Sequence, residues 1–186
     1  VMTGSRLSAG GYQGRVGLSP DMTCLGKVAG GGMPLAVYGG KRAIMEKVAP
    51  LGPVYQAGTL SGNPVAVSAG LATLALLDAA LYAKLERLGA RLEAGLHAAI
   101  DGAGADACVQ RVGSMLTVFF RKGPVTCWED AKASDTARFG RFHGELLKRG
   151  VYWPPAQYEA AFVSGAHTEA DIDATIAAAS RVFKGL

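Results

Sequence analysis

The chain has 186 residues, 49% of them hydrophobic and 18% charged, and its net charge of +4 comes from basic residues scattered among acids. Disorder needs low hydrophobicity with high net charge, and collagen needs glycine at every third place; neither pattern is present although glycine, at 26 residues, is about twice as frequent as usual. Dispersed charge argues against nucleic-acid binding, and three cysteines without metal-ligand spacing fit free thiols in a reducing compartment, so a cytoplasmic protein is expected, or one of the plastid stroma if the source is a photosynthetic eukaryote.

The first residue is Val1 rather than methionine, so a processed segment or a longer parent chain is expected. Residues 1–32 are glycine-dense and read mainly as loops, with Ser19-Pro20-Asp21 turning into Met22–Leu25. After Gly30-Gly31-Gly32, the run Leu35–Tyr38 predicts a short strand closed by Gly39-Gly40, and Lys41–Val48 a short helix that the Pro50–Pro53 stretch ends. Asn63-Pro64 is a helix start, Asn63 as cap and Pro64 at the first helical position, and 65–79 continues it with only Gly70 as a weak point.

The most apolar stretch, 65–83, is broken by Asp78 and lacks a signal-peptide pattern, so no membrane association is expected. Leu81, Leu85, Leu88, Leu92, Leu96 and Ile100 then recur at three- and four-residue steps, one apolar stripe of a second helix. Met115–Phe120 is the clearest strand, and Ser134–Arg149 returns to helical spacing before Gly150. Val151–Trp153 and Ala161–Val163 are short strand candidates, and Thr168–Asp171 resembles a capping box ahead of Ile172, Ile176 and Phe183. Composition shifts near residue 80, which sets a boundary between 1–80 and 81–186 in a mixed α/β chain.

Several motifs fail on inspection. Gly26-Lys27 lacks the remaining places of a phosphate loop, and Leu35 stands where a dinucleotide fingerprint needs its third glycine. Ser68 approximates a nucleophile elbow but lies inside a helical pattern, and His97, His143 and His167 are isolated.

Two stretches remain. In Leu25–Pro34, Lys27 stands between apolar residues and a glycine cluster; a desolvated amine can attack a carbonyl, and glycines let backbone approach a bulky ligand. An exposed loop lysine fits the same composition. In Gln56–Pro64, a hydroxyl-rich turn meets a helix start whose unpaired N–H groups suit a phosphate, with Thr59 or Ser61 as added donors. Simple capping would account for Asn63 but not for Gly58-Thr59. A reactive lysine followed by a phosphate-type loop suggests a cofactor carrying both an aldehyde and a phosphate, and pyridoxal phosphate is the obvious candidate.

Val1–Gly4, the Lys27 segment, Gly52–Pro64 and Gln157–Ser164 together resemble the glutamate-1-semialdehyde 2,1-aminomutases, within the class III aminotransferases. The resemblance runs almost end to end. It implies the type I pyridoxal-phosphate-dependent transferase fold, with 1–80 as the C-terminal part of the cofactor-binding large domain, including the link helix, and 81–186 as the small C-terminal α/β domain. It further implies that Lys27 holds the cofactor covalently and shuttles protons, and that Val1 lies against the pyridine ring. Thr59, with the backbone of Gly58, would bind the cofactor phosphate of the neighbouring subunit in a homodimer, and Glu159 would be a carboxylate near the small-molecule substrate. The implied reaction exchanges amino and oxo groups within glutamate-1-semialdehyde to give 5-aminolevulinate for tetrapyrroles, the cofactor passing through its pyridoxamine phosphate form.

The same resemblance sets the acid that pairs with the ring nitrogen two residues ahead of the position of Val1. These residues are therefore expected to be the later part of a chain more than twice as long, inactive by themselves. Ser5, Ala36 and Trp153 depart from the family pattern. Two other readings stay open: a class III aminotransferase with separate amino donor and acceptor, and a non-catalytic truncated chain.

Overall fold

A computed structural model describes residues 1–186. The chain divides into two compact units, Val1–Tyr82 and Ala83–Leu186.

The first unit is built from short pieces. Helix α1 (Gly11–Val16) precedes strand β1 (Met22–Leu25), which pairs antiparallel with β2 (Val37–Gly40) from Met22↔Gly40 to Leu25↔Val37. Helix α2 is only Arg42–Met45, because Val48 leaves the helical path for a parallel bridge to Val54. Helix α3 (Pro64–Ala75) starts as expected: Asn63 Oδ1 accepts from the N–H groups of Val65 and Ala66. It stops short of residue 79 because Asp78 leaves to accept from Leu81 N at 2.7 Å, ahead of α4 (Ala79–Ala103).

Gly70, the weak point of α3, has a packing reason. A Cβ there would stand 2.5 Å from the carbonyl oxygen of Ala29 and 3.0 Å from Leu35 Cδ2, so α3 seats its backbone against the 3-10 turn Lys27–Gly30. Gly31, at φ +57, faces Ala69 and Thr73 of the same helix. The glycine cluster after Lys27 thus serves first to admit a helix, where the sequence suggested room for a ligand. Leu7, Ala29 and Ala66 are the only buried apolar side chains of this unit, whereas Leu18, Leu51, Tyr55, Val65, Leu71 and Leu76 are among its exposed ones.

The second unit holds the remaining buried apolar residues. Strands β3 (Cys108–Val112), β4 (Met115–Phe119) and β5 (Ala161–Phe162) form an antiparallel sheet in that order. Val112↔Met115 closes the β3–β4 hairpin over Gly113 and Ser114, with Gly113 at φ +59 as a two-residue turn requires. The stripe of α4 is buried from Leu85 to Ile100, and a Cβ on Gly95 would meet Ile176 Cγ1 at 2.5 Å, which fixes the approach of α7 (Glu169–Phe183).

Helix α5 (Trp128–Lys132) is short, and α6 (Thr136–Lys148) adds Phe139, Phe142 and Leu146 to the core. Phe142 lies at the centre of an aromatic cluster, its ring centroid 5.0 Å from Phe183, 5.3 Å from Phe120 and 6.1 Å from Trp153. Trp153, a departure from the family pattern, is absorbed there at 5% exposure. Val151–Trp153 is accordingly not a strand: Val151 N donates to Leu146 O to close α6, and Trp153 turns into the core. The capping box is complete, Thr168 and Asp171 each accepting from the other's backbone N–H. No single helix is long and apolar enough to cross a membrane.

Candidate active site

Lys27 follows β1 after a single residue, Gly26. Gly26 is extended and buried, and Lys27 then enters the left-handed region at φ +53; Ser5, at φ +56, is the other non-glycine residue there. An L side chain in that conformation costs about 1 kcal/mol, and such strain gathers where function holds it in place. The Lys27 side chain is exposed, so the desolvation expected of it is not supplied by the residues of this chain. Val1 lies over Gly26: a Cβ there would stand 3.2 Å from Val1 Cγ1.

The Gly58–Asn63 turn is built by Ser61 N donating to Gly58 O at 2.9 Å and Asn63 N to Leu60 O at 3.1 Å. At the head of α3 every N–H is already used or missing: Pro64 has none, Val65 and Ala66 donate to the Asn63 side chain, and Val67 donates to Asn63 O. The expectation that free N–H groups of the helix start would receive a phosphate is therefore corrected. The donors left over belong to the preceding turn, where Gly58 and Thr59 are exposed and their N–H groups meet no backbone carbonyl. A groove of about 450 Å3 brings Val1 and Gly58 together, with Cys24 and Leu25 of β1, Tyr38 of β2 and Gln56 along its walls; Ala36 lines it as well.

Glu159 belongs to the second unit. It is exposed and lines a cavity of about 680 Å3 with Arg149, Trp153, His167 and Asp171. Arg149 is engaged by Glu145 at 2.5 Å, and His167 Nδ1 accepts from Ser164 N at 2.9 Å, so His167 closes a turn. The Asp171 carboxyl is held below the usual carboxylate range, chiefly by the Thr168 N–H. Sequence reasoning missed Gln157, two residues away: it is 3% exposed and hydrogen-bonded through both ends of its amide. A lone amide between two strand-like runs was the available signal.

A strained lysine after a strand, an apolar side chain over the preceding glycine and a donor-bearing turn before a helix occur here on the fold of the type I pyridoxal-phosphate-dependent transferases. More narrowly, the chain belongs to the class-III aminotransferase family, whose model matches residues 1–159.

Among curated relatives, the glutamate-1-semialdehyde 2,1-aminomutase of Sorangium cellulosum is 68% identical over 178 residues, 96% of this chain and 41% of the relative. That of Thermus thermophilus is 59% identical over 180 residues, again 96% of this chain and 42% of the relative. Of solved structures, an omega-transaminase from Sphaerobacter thermophilus superposes with a TM-score of 0.86 at 28% identity, over 98% of this chain and 43% of that one. A glutamate-1-semialdehyde-aminomutase from Pseudomonas aeruginosa PAO1 in complex with PMP gives 0.85 at 27% identity, over 97% and 42%. The chain thus spans about two fifths of the length of the relatives it matches.

Proposed function

We propose that this chain is part of a pyridoxal-phosphate-dependent aminomutase that converts glutamate-1-semialdehyde to 5-aminolevulinate. The observation that carries the reading is Lys27, held at φ +53 between the buried backbone of Gly26 and the Ala29–Gly30 turn that seats α3. The curated relatives at 54–68% identity, all named glutamate-1-semialdehyde 2,1-aminomutase, support the substrate.

The residues fit the cofactor. An amine stands exposed on a left-handed turn, a branched apolar side chain lies over the preceding glycine, and an exposed hydroxyl with two free N–H groups suits a phosphate. When bound, pyridoxal phosphate supplies an electron sink for the carbon that loses its proton and a carrier for the amino group. Lys27 would hold it covalently and would move a proton at the reacting carbon, for which one amine serves both as nucleophile and as acid–base group. Val1 offers an apolar face to the ring. Thr59 Oγ1 and the N–H groups of Gly58 and Thr59 donate to the phosphate of the neighbouring subunit, so the active unit is a homodimer. Glu159 accepts from the substrate, and the enzyme works in the cytoplasm.

The test uses the full-length protein that contains these residues. Borohydride reduction in the presence of pyridoxal phosphate should fix the label on Lys27, and the semialdehyde should be converted with no added amino donor or keto acceptor. A label elsewhere, or turnover that requires both external partners, overturns the reading; the second outcome would mark a two-substrate aminotransferase.

A further inference from the structure

We propose that Gln157 is a positioning residue: its buried amide substitutes for strand pairing along β4 and so turns the Glu159 carboxylate out of the core. The inference rests on Glu159 being the substrate-facing acid.

β5 pairs with β4 at Met115↔Phe162 and Leu116↔Ala161 and then stops. Continued in the same register, Glu159 would stand opposite Val118 and Gln157 opposite Phe120. Side chains alternate along a strand. Ala161 and Val163 are both buried, so a strand extended back to residue 157 would drive Glu159 inward with them. A carboxylate cannot be left there without a partner.

The chain avoids this by leaving the ladder. Glu159 N donates to Ala156 O at 3.1 Å, making a turn, and Thr117 Oγ1 reaches across to Glu159 O at 3.3 Å. The departure would leave the backbone of β4 at Val118 and Phe120 unpaired in the interior. Gln157 meets both groups: its Nε2 donates to Val118 O at 2.7 Å and its Oε1 accepts from Phe120 N at 3.1 Å. The inward parity of residue 157 is kept, and only residue 159 is reversed, as in a bulge that re-aims one side chain. On the outside, Tyr158 meets Trp128 of α5 edge-on at a centroid distance of 5.2 Å, which holds the turn from its other face. An amide is required because the task needs one donor and one acceptor at one place. Methionine matches its length and supplies neither, and asparagine is one methylene too short to reach both.

The experiment is a double-mutant cycle in the full-length enzyme, reading KM and kcat for the semialdehyde with Gln157→Met, Glu159→Gln and the pair. Gln157→Met should raise KM about tenfold, with a smaller change in kcat, and the rise should disappear when Glu159→Gln is already present, because coupled residues are not additive. The cofactor absorption band should titrate as in the parent. An equal rise on both backgrounds, or no rise in a variant that melts as the parent does, overturns the inference. No effect of Glu159→Gln alone overturns instead the reading of Glu159 on which it rests. If Gln157→Met does not fold, Gln157→Asn, which retains the amide polarity, carries the same cycle and the same outcomes.

Discussion

Gly89 of α4 and Gly113 of the β3–β4 turn approach through bare backbone: a Cβ on Gly89 would stand 2.5 Å from the Gly113 carbonyl oxygen and 3.4 Å from Arg111 Nη1. Arg111 fills the space beside them, donating to Gly113 O at 2.8 Å, to Glu86 at 2.9 Å and to Glu93 at 2.7 Å. A methyl group at residue 89 would push the helix off the hairpin and stretch all three bonds. Gly89→Ala is therefore expected to destabilise the second unit by about 1–3 kcal/mol, the usual cost of overpacking, although alanine is the better helix former. Urea unfolding followed by circular dichroism measures this; a gain in stability would refute it.

Lys27 allows strain and chemistry to be separated. Lys27→Ala and Lys27→Gly both remove the amine, so both should abolish turnover in the full-length enzyme. They differ in backbone freedom, since glycine accepts φ +53 without penalty. The glycine variant should be more stable than the alanine variant by about 1 kcal/mol, read as a higher melting temperature.

The turn before α3 separates a cap from a phosphate donor. Asn63→Ala removes the acceptor of two N–H groups and should cost about 1 kcal/mol of stability. Thr59→Val should leave melting in place while weakening cofactor retention, measured as a higher concentration of pyridoxal phosphate for half-saturation. If Asn63→Ala weakened retention and Thr59→Val did not, the assignment of the phosphate to Thr59 would fail.

Acid should loosen the second unit. Asp171 is held below its ordinary value of 3.8 by the Thr168 N–H and hydroxyl, and Asp130 well below it by the Thr126 N–H and hydroxyl and by Arg121. A carboxyl whose folded pKa is depressed stabilises the fold above its unfolded pKa, and that contribution is lost as pH falls through the folded value. Stability should therefore decline as pH drops below about 4. Asp171→Asn should lower stability at neutral pH and flatten that decline, as thermal melts from pH 7 to pH 2 would record.

Much of the architecture was legible because its causes are local. The α4 stripe, the Asn63 cap and the Thr168–Asp171 box each lie within a few residues, and the β-branched and aromatic run of β4 speaks for itself. Elements decided at long range were not. α1 has four glycine or polar places in six and no apolar stripe, and β3 carries Gln110 and Arg111, whose partners lie outside the strand. Val151–Trp153 looked like a strand, and only the aromatic cluster around Phe142 explains why it is not. Lys27 and the Gly58-Thr59 pair stood out by composition, but their cofactor roles, like those of Val1 and Glu159, came only from the family resemblance. The left-handed turn at Lys27 was not legible, since the glycine cluster that follows it is fixed by the seating of α3.

The uneven burial has a consequence in time. Amide hydrogens exchange where backbone can open, and opening is cheap where few apolar side chains must be pulled apart. With Leu7, Ala29 and Ala66 as its only buried apolar residues, the first unit should take up deuterium early across β1, β2 and the Lys27 turn. The amides of α4 beyond Leu85, of β4 and of α6 should stay protonated until the second unit opens as a whole. The lysine assigned to chemistry would thus stand on the least protected backbone of the chain, and the glutamate on a turn pinned to the most protected.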